Sequence, residues 1–231
     1  MKIIVNDQLI ARRARLGKIF TFAGLGLLLV GLIISLIMTQ QASYLLVSFG
    51  CLLGGIIASS IGTVNMNRWV REPRADQVLA RGFKGFDDRY RLYNYTLPAP
   101  HVLLTPTGLY VLTAMLQEGA IRYEDGKWHR AFSLGRAIRF LGDEGLGRPF
   151  ATGDNEVLAM QRFLEQNELA EGVEIENVLI FVHPKAQVDV HEPPRPVIMP
   201  KDMKRAIRSG QTKLSPDRYR RLQELFESQA A

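Results

Sequence analysis

The sequence predicts a two-helix hairpin of membrane-spanning length followed by one mixed α/β domain, and three observations carry that prediction. Between Ile19 and Asn67 there is no Asp, Glu, Lys or Arg. This window holds two apolar runs, 19–38 and 44–64, each of roughly 20 residues, enough at about 1.5 Å per residue to cross a hydrocarbon core about 30 Å thick. Beyond Pro73 the pattern changes to short strand-like and helix-like stretches of ordinary globular polarity.

The link between the two runs is only Thr39-Gln40-Gln41-Ala42-Ser43, so the helices must return antiparallel. A secretory signal fits poorly: the first run is long for a signal core, no A-x-A-like cleavage site follows, and a second span comes at once. A buried core hairpin would show a polar face, and neither run does. Small residues pair at helical spacing in the second run, Gly50 with Gly54 and Gly55 with Ser59. Such pairs let helix backbones approach, here in the hairpin itself or in a homodimer.

Charge sets the expected orientation. Residues 1–18 carry Lys2, Arg12, Arg13, Arg15 and Lys18 against Asp7. Residues 66–85 carry Arg68, Arg71, Arg74, Arg81 and Lys84 against Glu72 and Asp76. The link between the runs has no charge, so by the positive-inside rule both termini are expected in the cytoplasm, with the chain multi-pass in the cell (inner) membrane. Trp69 and Tyr44 are placed for the two interfaces. The formal +6 charge divides unevenly: residues 86–231 hold 19 Lys+Arg against 20 Asp+Glu. The basic excess is juxtamembrane. It suits lipid head groups at Arg12, Arg13, Arg15, Lys18, Arg68 and Arg71 better than a phosphate backbone gripped by the domain. Cys51, the single cysteine, excludes an internal disulfide and a cysteine metal cluster.

The boundaries follow: a basic segment 1–18, the hairpin 19–65, a linker 66–74, the α/β domain 75–210 and a C-terminal helix 211–231. Residues 1–10 read equally as a strand or an interfacial segment. A helix is expected over 75–83, with Val78, Leu79 and Phe83 on one side. Residues 90–97 alternate as a strand does, 101–104 form a short apolar strand, and Thr105-Pro106-Thr107-Gly108 a turn. Residues 109–115 form a continuous apolar strand, the kind buried on both faces. Asp125-Gly126, between strand-like 120–123 and 128–132, is a hairpin signal. Residues 142–153 read as a Gly-rich loop and 154–168 as a helix. Strands follow at 178–182 and 197–199, with a helix at 201–207. In the last helix Ser215 is the expected N-cap, Pro216 occupies the first turn, and Leu214 with Tyr219 form a hydrophobic staple.

This order of elements is that of a restriction-endonuclease-like domain. Ala99-Pro100-His101-Val102-Leu103-Leu104, then Thr105-Pro106-Thr107-Gly108-Leu109-Tyr110-Val111-Leu112, resembles the core of the nuclease-related domain (NERD) family. There a strand of the form I-D-H-V-V-V precedes a Gly turn and a strand ending in E-x-K. Asp76, Val78 and Leu79 resemble the family's opening helix; Gly119, Ile121 and Trp128 match later positions. The resemblance covers about residues 74–185. It implies a site where two carboxylates hold Mg²⁺ and a lysine offsets charge on phosphate.

The chain departs from that pattern at each of these positions. The Asp falls on Pro100, the Glu on Thr113 and the Lys on Met115, with His101 kept alongside. From Leu97 to Gln117 there is no Asp, Glu, Lys or Arg. The expectation is therefore a degenerate site that binds no cofactor. The domain is expected to serve as a membrane-anchored binding or assembly module with an unknown protein partner. Two rivals stand beside it: a metal-dependent nuclease whose residues have relocated, with Mg²⁺ as its cofactor, and a non-catalytic nucleic-acid tether. Other candidate clusters have plainer readings. Asp125-Gly126-Lys127 is a turn, Asp202-Met203-Lys204 a helix start, and Asp87-Asp88 a polar link. His183, Asp189 and His191 match no common zinc spacing, and Gly142, Gly145 and Gly147 lack the Lys-Ser or Lys-Thr of a phosphate loop.

Overall fold

In the domain a six-stranded mixed sheet, of strand order β1-β2-β3-β4-β7-β9, lies between helices on both faces. The computed structural model describes residues 1–37, 42–131, 145–208 and 214–230. Their helices and strands run β1 (Lys2–Val5), α1 (Asp7–Ile37), α2 (Ala42–Trp69), α3 (Ala75–Gly82), β2 (Arg91–Asn94), β3 (His101–Leu104), β4 (Leu109–Met115), β5 (Gly119–Glu124), β6 (Lys127–Arg130), α4 (Pro149–Gln166), β7 (Ile175–Phe181), β8 (Ala186–Val190), β9 (Val197–Ile198), α5 (Met203–Arg208) and α6 (Pro216–Ala230). A 3-10 turn, Pro200–Asp202, leads into α5. The chain divides into two units: α1 with α2, and the α/β domain, to which residues 1–6 belong.

Strands β2, β3 and β4 form an antiparallel meander, β7 lies parallel to β4, and β9 lies parallel to β7. β4 is central and, Thr113 apart, apolar, so it needs cover on both faces. One face sets Leu92, Leu103, Tyr110 and Leu112 against Leu79 and Phe83 near α3 and Met203 and Ile207 of α5. The other sets Tyr93, Val102, Leu109 and Val111 against Met160 and Leu164 of α4 and Leu222 and Phe226 of α6. A smaller sheet, β6-β5-β8, encloses a third core around Ile121, Phe181, Trp128 and Phe150. Its β5–β6 connection is the two-residue Asp125-Gly126 turn, with φ 52° and 75°. Two positive φ angles in that order suit the twist of a tight hairpin. The Thr105–Gly108 turn closes on the Thr105 hydroxyl, which accepts the N–H groups of Thr107 at 3.1 Å and Gly108 at 3.0 Å.

Several boundaries differ from the sequence reading. Lys2–Val5 is a strand of the domain sheet, parallel to β2, so the basic segment 1–18 is not one element: α1 already begins at Asp7. Residues 149–153, read as the end of a Gly-rich loop, are the first turn and a half of α4. Pro149 opens that helix, where its missing N–H costs nothing, and residues 142–144 lie outside the described residues. The helix read at 201–207 begins as the 3-10 turn. The C-terminal helix is part of the domain: Leu222 and Phe226 are fully buried in its core. Ser215 caps it, with the Arg218 N–H donating to Ser215 Oγ at 3.3 Å.

Helices α1 and α2 are both long and apolar enough to cross a membrane, and only 11% and 17% of their apolar windows are buried. Bulky side chains such as Phe22, Leu36, Leu46 and Phe49 therefore point outward. The link between the helices falls at residues 38–41, outside the described residues. The helix contact is made by small residues seven apart, Gly17, Gly24 and Gly31 on α1 against Ser48, Gly55 and Gly62 on α2. A spacing of seven keeps one seam facing its partner along a left-handed pair. A Cβ added at Gly24 would meet Ser59 Oγ at 2.4 Å, and one at Gly62 would meet Thr21 Oγ1 at 2.4 Å. The expectation for Gly50 and Gly54 in this contact is corrected. A Cβ at Gly50 would meet nothing within 4 Å, and one at Gly54 only Leu27 Cδ1 at 3.9 Å. Gly55 and Ser59 do line the seam. Positions 50 and 54 are a turn apart on a different face, because the seam steps by seven from Ser48. Ser48 is buried there, its hydroxyl donating to Gly31 O at 2.7 Å.

Candidate functional site

Of the three positions singled out in the sequence, Thr113 and Met115 lie on β4 and Pro100 just before β3. Val102 pairs with Val111 across β3 and β4, and Pro100 immediately precedes β3. Thr113 and Met115 are two apart on β4 and so share a face, the one covered by α4. Met115 is 7% exposed and packs with Leu179 and Phe181, close to Phe150 of α4. Thr113 is 1% exposed. Its hydroxyl donates to Glu156 Oε2 of α4 at 2.5 Å and accepts Asn177 Nδ2 of β7 at 2.9 Å. Asn177 Nδ2 also donates to Val111 O at 3.2 Å, while its Oδ1 is buried without a partner. The amide lies on Gly153 of α4, where a Cβ would meet Asn177 Oδ1 at 2.3 Å. Glu156 is one turn beyond Gly153 on the same helix face.

His101 belongs to the opposite face. It pairs with Asn94 across β2 and β3, and its Nδ1 donates to Asn94 Oδ1 at 2.8 Å. The Tyr95 ring stands edge-on to the imidazole at 4.8 Å. Burial lowers the His101 pKa to about 4, opposed only in part by the Asp76 carboxylate of α3. The imidazole is therefore neutral at pH 7. Asp76, matched above to the family's opening helix, is itself 4% exposed.

The remaining candidates are dispersed. Asp87 forms an ion pair with Arg89 at 2.6 Å, and that hydrogen bond holds its carboxyl below the usual range. Asp88 pairs with the α-amino group of Met1 at 3.0 Å. The neighbouring carboxylates thus diverge to separate cations. Asp125 is a turn residue with φ 52°. His183 faces Glu118 at 3.7 Å, whereas His191 faces Asp189 at 3.4 Å. Asp202 ends the 3-10 turn that leads into α5. Of the glycine trio, Gly145 and Gly147 lie in an irregular stretch before α4, and Gly142 lies outside the described residues. A shallow cavity of about 600 Å³ on the outer face of the small sheet is lined by Arg122, His129, Gln187 and Asp189 among others. Arg122 is matched there by Asp189 at 3.4 Å and Glu124 at 3.8 Å.

A hard divalent cation needs several oxygen ligands, more than one of them usually anionic. Around Thr113 the polar groups described above are one carboxylate, one hydroxyl and one amide. Among the described residues no three of His, Cys, Asp and Glu gather to hold a metal. The donor set does not fit Mg²⁺. Sequence reasoning missed Glu156, Asn177 and Asn94, because each meets its partner only across sheet or helix packing. The Gly153–Glu156 spacing on one helix face is the only local trace.

Compared with protein-family models, curated proteins and solved structures, the chain finds no match.

Proposed function

We propose that the chain is a membrane-anchored, NERD-like domain of restriction-endonuclease-like fold that does no catalysis and acts as a binding or assembly module at the cytoplasmic face of the membrane. The single observation that carries the reading is what stands at positions Pro100, Thr113 and Met115. The positions that would bear two carboxylates and a lysine bear a ring, a hydroxyl engaged on both sides, and a buried thioether. Supporting it, the order α3, β2–β3–β4 meander, α4 and a strand parallel to β4 is the order expected of that fold. The membrane part of the reading is supported by the outward-facing apolar surface of α1 and α2. Chain connection adds to it: the domain supplies both Asn6, just before α1, and Ala75, just after the α2 exit. Two hairpin ends that both lead into one folded unit support a reading with both termini on one side, and the basic flanks favour the cytoplasm for that side.

A second reading, a nuclease with a relocated carboxylate, is favoured by one observation. Glu156 comes from α4 to the spot beside Thr113. The two readings part in one experiment. Purified full-length chain is incubated with single- and double-stranded DNA and RNA in Mg²⁺ or Mn²⁺. No cleavage above background is the expected result, since loss of catalytic groups commonly costs orders of magnitude. Metal-dependent cleavage that copurifies with the chain and disappears in Glu156→Gln would falsify the non-catalytic reading and establish the second.

A further inference from the structure

The hairpin register stacks two basic clusters, separated in sequence by both apolar runs, at one level. On α1, Arg12, Arg13, Arg15 and Lys18 are all exposed. They occupy less than two helical turns, a rise of about 9 Å. At 100° per residue they spread around the helix axis and do not line one side. Gly17 lies against Asn65 and Met66, and Gly24 against Ser59. Continued along α2, that antiparallel register sets Arg68 level with Ala14 and Arg15. Arg68 is exposed, and Arg71 follows within a turn, its N–H donating to Met66 O at 2.9 Å. The nearest carboxylates in sequence are Asp7, ahead of Arg12, and Glu72, next to Arg71. From Ile19 of α1 to Asn67 of α2, no side chain is charged.

We propose that this collar binds the phosphates of anionic phospholipid, so that the hairpin gathers such lipid around its basic end. The proposal rests on the reading of α1 and α2 as membrane-spanning. Guanidinium groups fork onto phosphate oxygens, and juxtamembrane cations draw anionic head groups. The distribution around the axis decides between polyanions. Lipid head groups can surround a helix pair, whereas a nucleic-acid backbone is a single rigid line of charge that engages one face.

The test uses the full chain in mild detergent, incubated with equal amounts of phosphatidylglycerol and phosphatidylcholine, with the retained lipid counted by native mass spectrometry. Phosphatidylglycerol is expected to be retained in about ten-fold preference, declining as NaCl rises. The Arg12→Gln, Arg13→Gln, Arg15→Gln, Lys18→Gln variant should fall to near parity, at unchanged helicity by circular dichroism. The charge-keeping Arg12→Lys, Arg13→Lys, Arg15→Lys variant should hold most of the preference. Equal retention of the two lipids by the natural chain overturns the proposal. So does an undiminished preference in the Gln variant, displacement of the lipid by matched inorganic phosphate, or tighter binding of a DNA duplex than of the lipid. Should the Gln variant not fold, the salt series and the Lys variant carry the decision. Failure of the membrane reading looks different: the chain would then be released from membranes by alkaline carbonate without detergent. Stable insertion into pure phosphatidylcholine with no lipid preference would sink the collar alone.

Discussion

His101 sits between Asn94 and Tyr95 with almost no water, and that environment sets how the chain answers acid. Its pKa is about 4 in the folded chain against an ordinary 6.5, because burial penalises the charged ring. Between those two pH values the unfolded chain binds a proton that the folded chain refuses. The sign follows: the contribution of His101 to stability is constant above about pH 6.5, falls as pH drops toward 4, and loses nothing more below that. At pH 5 the loss amounts to about 2 kcal/mol. His101→Gln keeps an amide donor for Asn94 and removes the titration. Thermal melting in detergent at pH 7.5 and pH 5 should show a smaller acid shift for the variant than for the natural chain. Equal shifts would mean that the carboxylates alone govern the acid response. On the other face, Thr113 and Asn177 illustrate a different residue-scale balance. Thr113 satisfies two partners with one hydroxyl, yet Asn177 Oδ1 is left unpaired against Gly153. A buried acceptor without a partner costs about 1–3 kcal/mol, and the packing of α4 onto β7 offsets it.

At the scale of elements the hairpin separates glycines that look alike in the sequence. Gly24 and Gly62 lie where the partner backbone is nearest: added Cβ atoms would come within 2.5 Å of the Ser59 and Thr21 nitrogens respectively. Backbone cannot yield as a side-chain tip can, so Gly24→Leu or Gly62→Leu must push the helices apart. The expected loss is about 1–3 kcal/mol or more from overpacking, and the van der Waals attraction between the helices weakens as they separate. At Gly50 an added Cβ meets nothing within 4 Å, and Gly50→Leu removes a residue that costs a helix about 1 kcal/mol relative to alanine. That variant should melt at or slightly above the natural chain. The measurement is thermal unfolding in one detergent, followed by circular dichroism at 222 nm. A Gly50→Leu variant as damaged as Gly24→Leu would show that Gly50 packs against something outside the hairpin, a second copy being the first to check by size-exclusion light scattering.

The whole molecule is stitched in an order that a truncation at Pro73 would miss. β1 pairs with β2 through the register Lys2↔Arg91 to Val5↔Asn94. Lys2 also reaches Glu227 of α6 at 2.9 Å, and Arg91 pairs with the same carboxylate. The sheet's edge strand thus arrives from the far side of the hairpin in sequence. A domain of residues 74–231 lacks that strand, and β2 becomes an open edge, which invites association. It is expected to be less stable than a chain in which 1–6 is rejoined to 74–231 by a flexible linker, by on the order of 2 kcal/mol. Denaturant unfolding of the two at equal concentration measures the difference, and identical midpoints would mean that β1 contributes no stability.

How much of this was legible in the sequence depends on whether the signal is local. The two apolar runs, the Asp125-Gly126 turn, the Ser215 cap and the mostly apolar β4 were legible, because chain length, turn chemistry and strand burial act on neighbouring residues. The absence of charge from Leu97 to Gln117 was legible in the same way. The glycines of the helix seam were not, since a spacing of seven against 3.6 residues per turn selects a face only once the partner helix is in place. Glu156 beside Thr113, Asn94 beside His101 and Lys2–Val5 beside β2 are pairings across long sequence separation. Nothing in the chain between them encodes the meeting. By itself the sequence determined that apolar surface of membrane-spanning length would precede an α/β domain poor in charge at its centre. Only the tertiary structure decided which glycines touch, which carboxylate faces β4, and which strand closes the sheet, because those outcomes depend on the shape that packing leaves to be filled.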